Sequence, residues 1–321
     1  MVHLKRIILF VIPVLLFGSC LKDELEPCGM DPDNLRYISL KSGMRKYNYE
    51  HIVKEVDVYL YDDNDFLVDL LSYSKEELKK TDYRIALPIA ENQEYSAVVL
   101  VNKGDSYEID RIDQQKEFYV SLKSEAGDTV RTRQADLFTG FKVLDFGADA
   151  LPEGMDDRCD TVILMKATNH FDVTVDFKGY TLPTGSRINT YIKGNNGSAN
   201  YQTRCHKNSQ RIYMPLPPDD GSVMTDNPLY FTTMKIWHGS DLTLYVEELN
   251  ENDQLVKSHQ MLIVDRLAQI KNMDGEYLYN TDDKLDQEDQ FVLNLELDDR
   301  FVLIGLSING WSLIESGIVV D

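Results

Sequence analysis

Short runs in which apolar and polar residues alternate, each closed by a cluster of turn-forming residues, recur along most of this chain. Val56, Val58 and Leu60 alternate with Asp57, Tyr59 and Tyr61; Asp62-Asp63-Asn64-Asp65 breaks the run, and Phe66-Leu67-Val68 resumes it. A period of two places alternate side chains on one face of a strand. A run, a polar turn and a second run make a β-hairpin. The same pattern predicts strands over 83–87, 95–101, 117–122, 161–165, 171–177, 187–192, 211–214, 229–237, 242–248, 256–264, 291–297 and 301–308. Lys103-Gly104-Asp105, Gly194-Asn195-Asn196-Gly197 and Asp219-Asp220-Gly221 punctuate them. Short helices are expected only over 74–80, 110–115 and 265–271. Many short strands at this spacing predict an all-β chain of sandwich type.

The pattern has an internal echo. Leu242-Thr243-Leu244-Tyr245-Val246-Glu247 leads through Asn250-Glu251-Asn252-Asp253 to Leu255-Val256, as the earlier hairpin does around 56–68. Two sandwich units are therefore expected. The segment 149–160, with Pro152, Gly154 and several acids, is the best boundary, which divides the chain into 31–155 and 156–321.

The first residues have a separate logic. Lys5 and Arg6 precede an apolar run over 7–17, the layout of an export signal. A membrane-spanning helix needs roughly 20 apolar residues. This run is shorter, contains Pro13, and meets charge at Lys22, Asp23 and Glu24. It ends in Leu16-Phe17-Gly18-Ser19-Cys20, which resembles a bacterial lipobox. The resemblance implies a signal peptide over 1–19, acylation of Cys20 and a lipidated tether over 20–30. Lys22, Asp23 and Glu24 look like the short acidic export tag of surface-exposed lipoproteins of the Bacteroidota; a plain solvated tether is the alternative.

Charge excludes some partners. The chain has 33 Lys and Arg against 54 Asp and Glu, a net charge of −21. Phosphate backbones are repelled, so nucleic acid is not an expected partner. Anionic lipid is repelled as well, so the lipid at Cys20 must hold the membrane. Of the other cysteines, Cys28, Cys159 and Cys205, any two could form one disulfide in an exported protein. Cys28–Cys159 and Cys159–Cys205 are both reasonable pairings.

Catalytic motifs are absent. The chain has no Gly-x-Ser-x-Gly elbow, Gly-rich phosphate loop or His-Glu-x-x-His helix, and its 6 His are scattered singly. Asp62-Asp63-Asn64-Asp65 lacks the mid-loop Gly and distal Glu of a calcium loop, and is a hairpin turn. No enzyme activity, metal site or cofactor is expected. Asp128-Thr129-Val130 and Asp160-Thr161-Val162 fit the Asp-Thr-aliphatic pattern of O-glycan acceptors, making Thr129 and Thr161 candidates.

Taken together, Cys20 with Lys22-Asp23-Glu24-Leu25 and Cys28, the run Leu35–Leu40, the hairpin 56–68, Val101-Asn102-Lys103-Gly104, Asp136-Leu137-Phe138-Thr139-Gly140, Thr168-Asn169-His170-Phe171-Asp172-Val173 and Ile308-Asn309-Gly310-Trp311 span nearly the whole chain. This set resembles the fimbrillin-associated anchor lipoproteins of Bacteroidota fimbriae. The resemblance implies two tandem transthyretin-like, Greek-key β-sandwiches. It also implies a place at the fimbria's base in the outer membrane, fimbrillin-type subunits as partners, and strand exchange as the means of joining them. An anchor that must keep its first strand would donate a strand from its free C-terminus. Trp311, Leu313, Ile314, Ile318 and Val320 are the candidate donor residues; the alternative is that this segment is the last strand of its own second domain. The other function class is a surface glycan-binding lipoprotein of a nutrient-uptake system. Such binders favour flat aromatic platforms, whereas Trp237 and Trp311 are the only 2 tryptophans here.

Overall fold

The computed structural model describes residues 36–44, 46–89, 94–125, 127–131, 136–144, 159–203, 209–215 and 228–314. The expected all-β character is present throughout. Strands β1 (Arg36–Ser42), β2 (Glu55–Asp62), β3 (Leu67–Ser74), β4 (Arg84–Leu87), β5 (Tyr95–Val101), β9 (Phe138–Leu144) and β10 (Cys159–Lys166) make a 7-stranded sheet in the order β3-β2-β5-β9-β10-β1-β4. Alternation explains its two faces. Val56, Val58 and Leu60 of β2 share one core with Ile38, Leu40, Ile85, Leu87, Val162 and Leu164. Tyr49 of α1 (Tyr49–Ile52) and Leu78 of α2 (Lys75–Lys80) close that core. Tyr59, Tyr61, Val98 and Leu100 point the other way and join a second core. The central strand β5 is consequently buried along its whole length.

The second core is shared with the rest of the chain. Strands β6 (Tyr107–Asp110), β7 (Tyr119–Leu122) and β13 (Ser198–Asn200) make a 3-stranded sheet. A 5-stranded sheet contains β15 (Leu229–Met234), β11 (Thr168–Phe177), β18 (Gln290–Leu297), β19 (Leu303–Ile308) and β20 (Trp311–Ile314), in that order. Opposite it lie β17 (Leu255–Leu262), β16 (Thr243–Leu249), β12 (Arg187–Gly194), β14 (Arg211–Tyr213) and β8 (Thr129–Val130). Phe171, Phe291 and Leu295 from one sheet and Ile192, Leu244 and Val246 from the other fill a common interior, which makes the pair a sandwich. The Phe171 and Phe291 rings stack with centroids 5.4 Å apart, and both are fully buried. Phe171→Ala is expected to cost about 3–5 kcal/mol in denaturant unfolding, the usual loss for a buried aromatic.

Both hairpins of the internal echo are present and use one turn device. Asp62 Oδ1 accepts hydrogen bonds from the backbone of Asn64 and Phe66, and Asp65 takes a φ of 65°. Asn250 Oδ1 likewise accepts from Asn252 and Gln254, and Asp253 takes a φ of 60°. Asp298 repeats the pattern between β18 and β19, with bonds from Arg300 and Val302 and a φ of 63° at Phe301. The echo is thus one of turn chemistry, because the strand orders of the two halves differ.

The expected boundary at 155/156 lies outside the described residues; β10, which follows it, pairs parallel with β1 and antiparallel with β9. The change of sheet falls at Ala167, between β10 and β11. The halves also exchange pieces: β8 pairs parallel with β14, and β13 pairs antiparallel with β7. The expected helix over 110–115 is an irregular strap. Arg111 sits at a φ of 50°, Phe66 bridges Gln114, and the Leu67 N–H donates to the Asp113 carbonyl at 3.1 Å.

Candidate functional site at the strand ends and the junction

The first described strand is held on both sides. β10 pairs with β1 over Tyr37–Ser42, and β4 pairs with it over Arg36–Ser39. Gly43 continues the parallel ladder, its N–H donating to the Leu164 carbonyl at 2.8 Å. A Cβ at Gly43 would crowd the Met165 side chain and lie 3.2 Å from the Leu164 carbonyl oxygen, so a larger residue here would require its neighbours to shift.

The other end of the chain closes a sheet edge. Asn309 and Gly310 have φ values of 51° and 80°, the left-handed pair of a two-residue hairpin turn. They fold β20 back on β19, pairing Ile308 with Trp311 and Ser307 with Ser312. Trp311 and Leu313 are half-buried against the second core. Trp311, Leu313 and Ile314, taken from sequence as donor residues, therefore lie in the outermost strand of the chain's own sheet. Ile318 and Val320 lie outside the described residues. Asn-Gly between apolar runs is a strong hairpin signal, so this turn was legible in its own right beside the family resemblance.

Between the two cores lies a charged cluster that sequence reading missed. Asp289, just before β18, is 3% exposed and accepts hydrogen bonds from Lys166, Lys46 and Tyr47. Lys166, the last residue of β10, also meets Asp136 Oδ1 at 2.7 Å. His170 on β11 reaches the same oxygen at 2.5 Å through Nε2, while its Nδ1 lies 3.1 Å from Thr232 Oγ1. Lys46 completes the ring at 2.8 Å from Glu288. Burial pushes the Asp289 carboxyl up, but bonds from Lys166, Lys46 and Tyr47 outweigh it and hold the group at about 2. Burial likewise raises Asp136, and His170 and Lys166 reverse that to a net lowering. Burial and then the bond to Asp289 push the Tyr47 phenol far up. Through these contacts Lys46, Tyr47, Asp136 and Lys166 from one half of the chain are fastened to His170, Glu288 and Asp289 from the other.

The remaining candidates are scattered. Cys20, Lys22, Asp23, Glu24, Cys28 and Cys205 lie outside the described residues. Cys159, at the start of β10, is half-buried with a free thiol. Thr161 is exposed on β10 and shares a 3.0 Å hydrogen bond with Ser39 Oγ. Thr129 is half-buried on β8. Among the described residues no group of three or more His, Cys, Asp or Glu is placed to hold a metal ion.

Comparison with known proteins addresses what such an assembly is. The profile of the fimbrillin-A associated anchor proteins Mfa1 and Mfa2 matches residues 39–317. The chain belongs to that family. Curated protein sequences return no match. Among solved structures, the fimbrial anchor protein Mfa2 from Porphyromonas gingivalis superposes with a TM-score of 0.62 at 20% identity, covering 88% of this chain and 99% of that one. A putative polysaccharide binding protein from Bacteroides thetaiotaomicron gives a TM-score of 0.71 at 16% identity, over 88% and 98%. A putative adhesin from Bacteroides ovatus gives 0.64 at 17%, over 88% and 96%. At these identities the structures share a fold with this Mfa1/Mfa2-family chain. The family membership accords with the resemblance carried by the sequence motifs. The family is one of fimbrillin-associated anchor proteins.

Proposed function

We propose that this chain is an outer-membrane lipoprotein, anchored through Cys20, that seats a fimbria on the cell surface and ends its assembly by strand exchange with a fimbrillin-type subunit. The observation that carries the reading is the placement of β1. It is the first described strand after the expected tether, and it is bonded to β10 on one side and β4 on the other. Tension applied at Cys20 would run along β1, and sliding that strand out would break both ladders together. Such a strand suits a load-bearing base. It also argues against β1 leaving to open a groove, which leaves the C-terminal end as the donor.

The place of β20 sharpens the test. Truncation after Gly310 removes a strand that packs on the core, whereas truncation after Ile314 removes residues 315–321 and spares that strand. Cells carrying the chain cut after Ile314 are expected to display folded protein while fimbriae detach into the medium. Firmly attached fimbriae would defeat the donor role. A second expectation concerns the tag: changing Lys22, Asp23 and Glu24 together to alanine should leave the protein lipidated but facing the periplasm. Protease shaving of intact cells checks this, and unchanged cleavage would make these residues a tether only.

The glycan-binding alternative finds less support. Trp237 and Trp311 are half-buried. Tyr191 and Tyr245 stack on each other with centroids 4.7 Å apart, so each ring occupies a face of its neighbour.

A further inference from the structure

Beyond the anchor role, the geometry points to a second docking site, a cleft beside the end of β1 that takes an extended basic peptide. A cavity of about 630 Å³ is lined by residues 39–44 together with Tyr49, Tyr83, Glu50 and Asp82, among others. Its floor is an open strand edge. β4 stops pairing with β1 at Ser39, whereas β10 continues to Ser42, so among the described residues no strand lies on the β4 side from Leu40 to Ser42. An incoming extended chain would find main-chain donors and acceptors there, the mode of recognition in which a peptide adds to a sheet edge.

The walls suggest what that peptide carries. Tyr49 and Tyr83 meet edge to face with centroids 5.8 Å apart. The buried Tyr49 hydroxyl has no hydrogen-bond partner. Glu50 and Asp82 are exposed. Aromatic rings beside carboxylates attract a cationic side chain through the ring face and through charge. Lys41 also borders the cavity, but it alternates with the buried Leu40, so the pleat sends its side chain to the opposite face. The whole chain, at a net charge of −21, adds to the attraction for a basic partner.

The backbone is also unusual here. Asp82 and Tyr83 sit at φ values of 53° and 59°, a left-handed pair with no glycine. A bulky residue in this region is strained and persists where its surroundings hold it. The Tyr83 N–H is tied to the Leu78 carbonyl at 2.7 Å, and its ring is packed on Tyr49. These contacts hold the strained pair in place and keep Tyr83 among the residues that line the cleft.

The site does not depend on strand donation from the C-terminus, so the two ideas fail separately. The test is fluorescence anisotropy of the intact protein with a labelled, end-blocked Val-Lys-Val-Lys-Val-Lys peptide. Saturable binding is expected, weakened about tenfold by Glu50→Gln with Asp82→Asn. A probe with its central valine changed to proline should bind worse, because it lacks an N–H for the edge. Tyr83→Ala tests the ring, and thermal melting confirms that each variant is folded. Equal binding of the Val-Glu-Val-Glu-Val-Glu probe, full binding by the folded double variant, no saturable binding, or displacement by maltoheptaose would each overturn the proposal.

Discussion

Asp289→Ala is expected to lower the stability of the folded chain by about 3–5 kcal/mol, the usual consequence of removing one partner from a buried ion pair. The reason lies in what is left behind. Lys166 is only 4% exposed and would be left with Asp136 as the remaining carboxylate near it. Tyr47 and Lys46 would lose their shared acceptor as well. Denaturant unfolding measures the loss. Asp289→Leu combined with Lys166→Met should recover much of it, because a buried pair replaced by apolar groups of similar volume leaves no orphaned charge. A double variant as unstable as the single one would mean the cluster acts through other contacts.

The same carboxyl gives a pH dependence with a definite sign. Its native value, about 2, lies below the ordinary 3.8. A lowered carboxyl contributes stability that is fully present above the unfolded value and lost as pH falls through the folded one. The contribution, roughly 2–3 kcal/mol, should therefore fade between about pH 4 and pH 2. Asp289→Asn should flatten that part of the stability profile. An unchanged acid slope would show that other carboxylates carry it.

Legibility in the sequence followed the range of the interactions. The hairpin of β2 and β3 could be read because alternation and the Asp62–Asp65 turn are local. β10 could be read as a strand but not placed, since its parallel partner β1 lies more than a hundred residues away and parallel pairing leaves no turn to mark it. β8 and β13 contain only 2 and 3 residues, too few for a period to show. The helices Tyr49–Ile52 and Asp282–Leu285 span about one turn each and escaped for the same reason. The family could be seen from motifs spread along the chain. The charged cluster could not, because Asp136 and Asp289 look like any of the 54 acids until folding buries them beside Lys166.

Cys20→Ala is expected to have the largest effect on cells. It should abolish palmitate incorporation and free the protein, with any fimbria it holds, from the outer membrane. No helix among the described residues is long and apolar enough to cross a membrane. The surface cannot adhere by charge either, since a net charge of −21 is repelled by anionic lipid. One acyl chain binds marginally and reversibly, while two or more hold stably, so under the proposed role the attachment would depend on full acylation at this cysteine. The fold should be indifferent to the change, because Cys20 precedes the first described strand, Arg36–Ser42. Unfolding of the released protein should match that of the detergent-extracted parent. Labelled palmitate, fractionation and counting of shed fimbriae make up the measurement. A Cys20→Ala protein that stays membrane-bound and labelled would defeat the lipoprotein reading. A protein released while its fimbriae remain attached would separate lipidation from anchoring and reject the proposed role at the base.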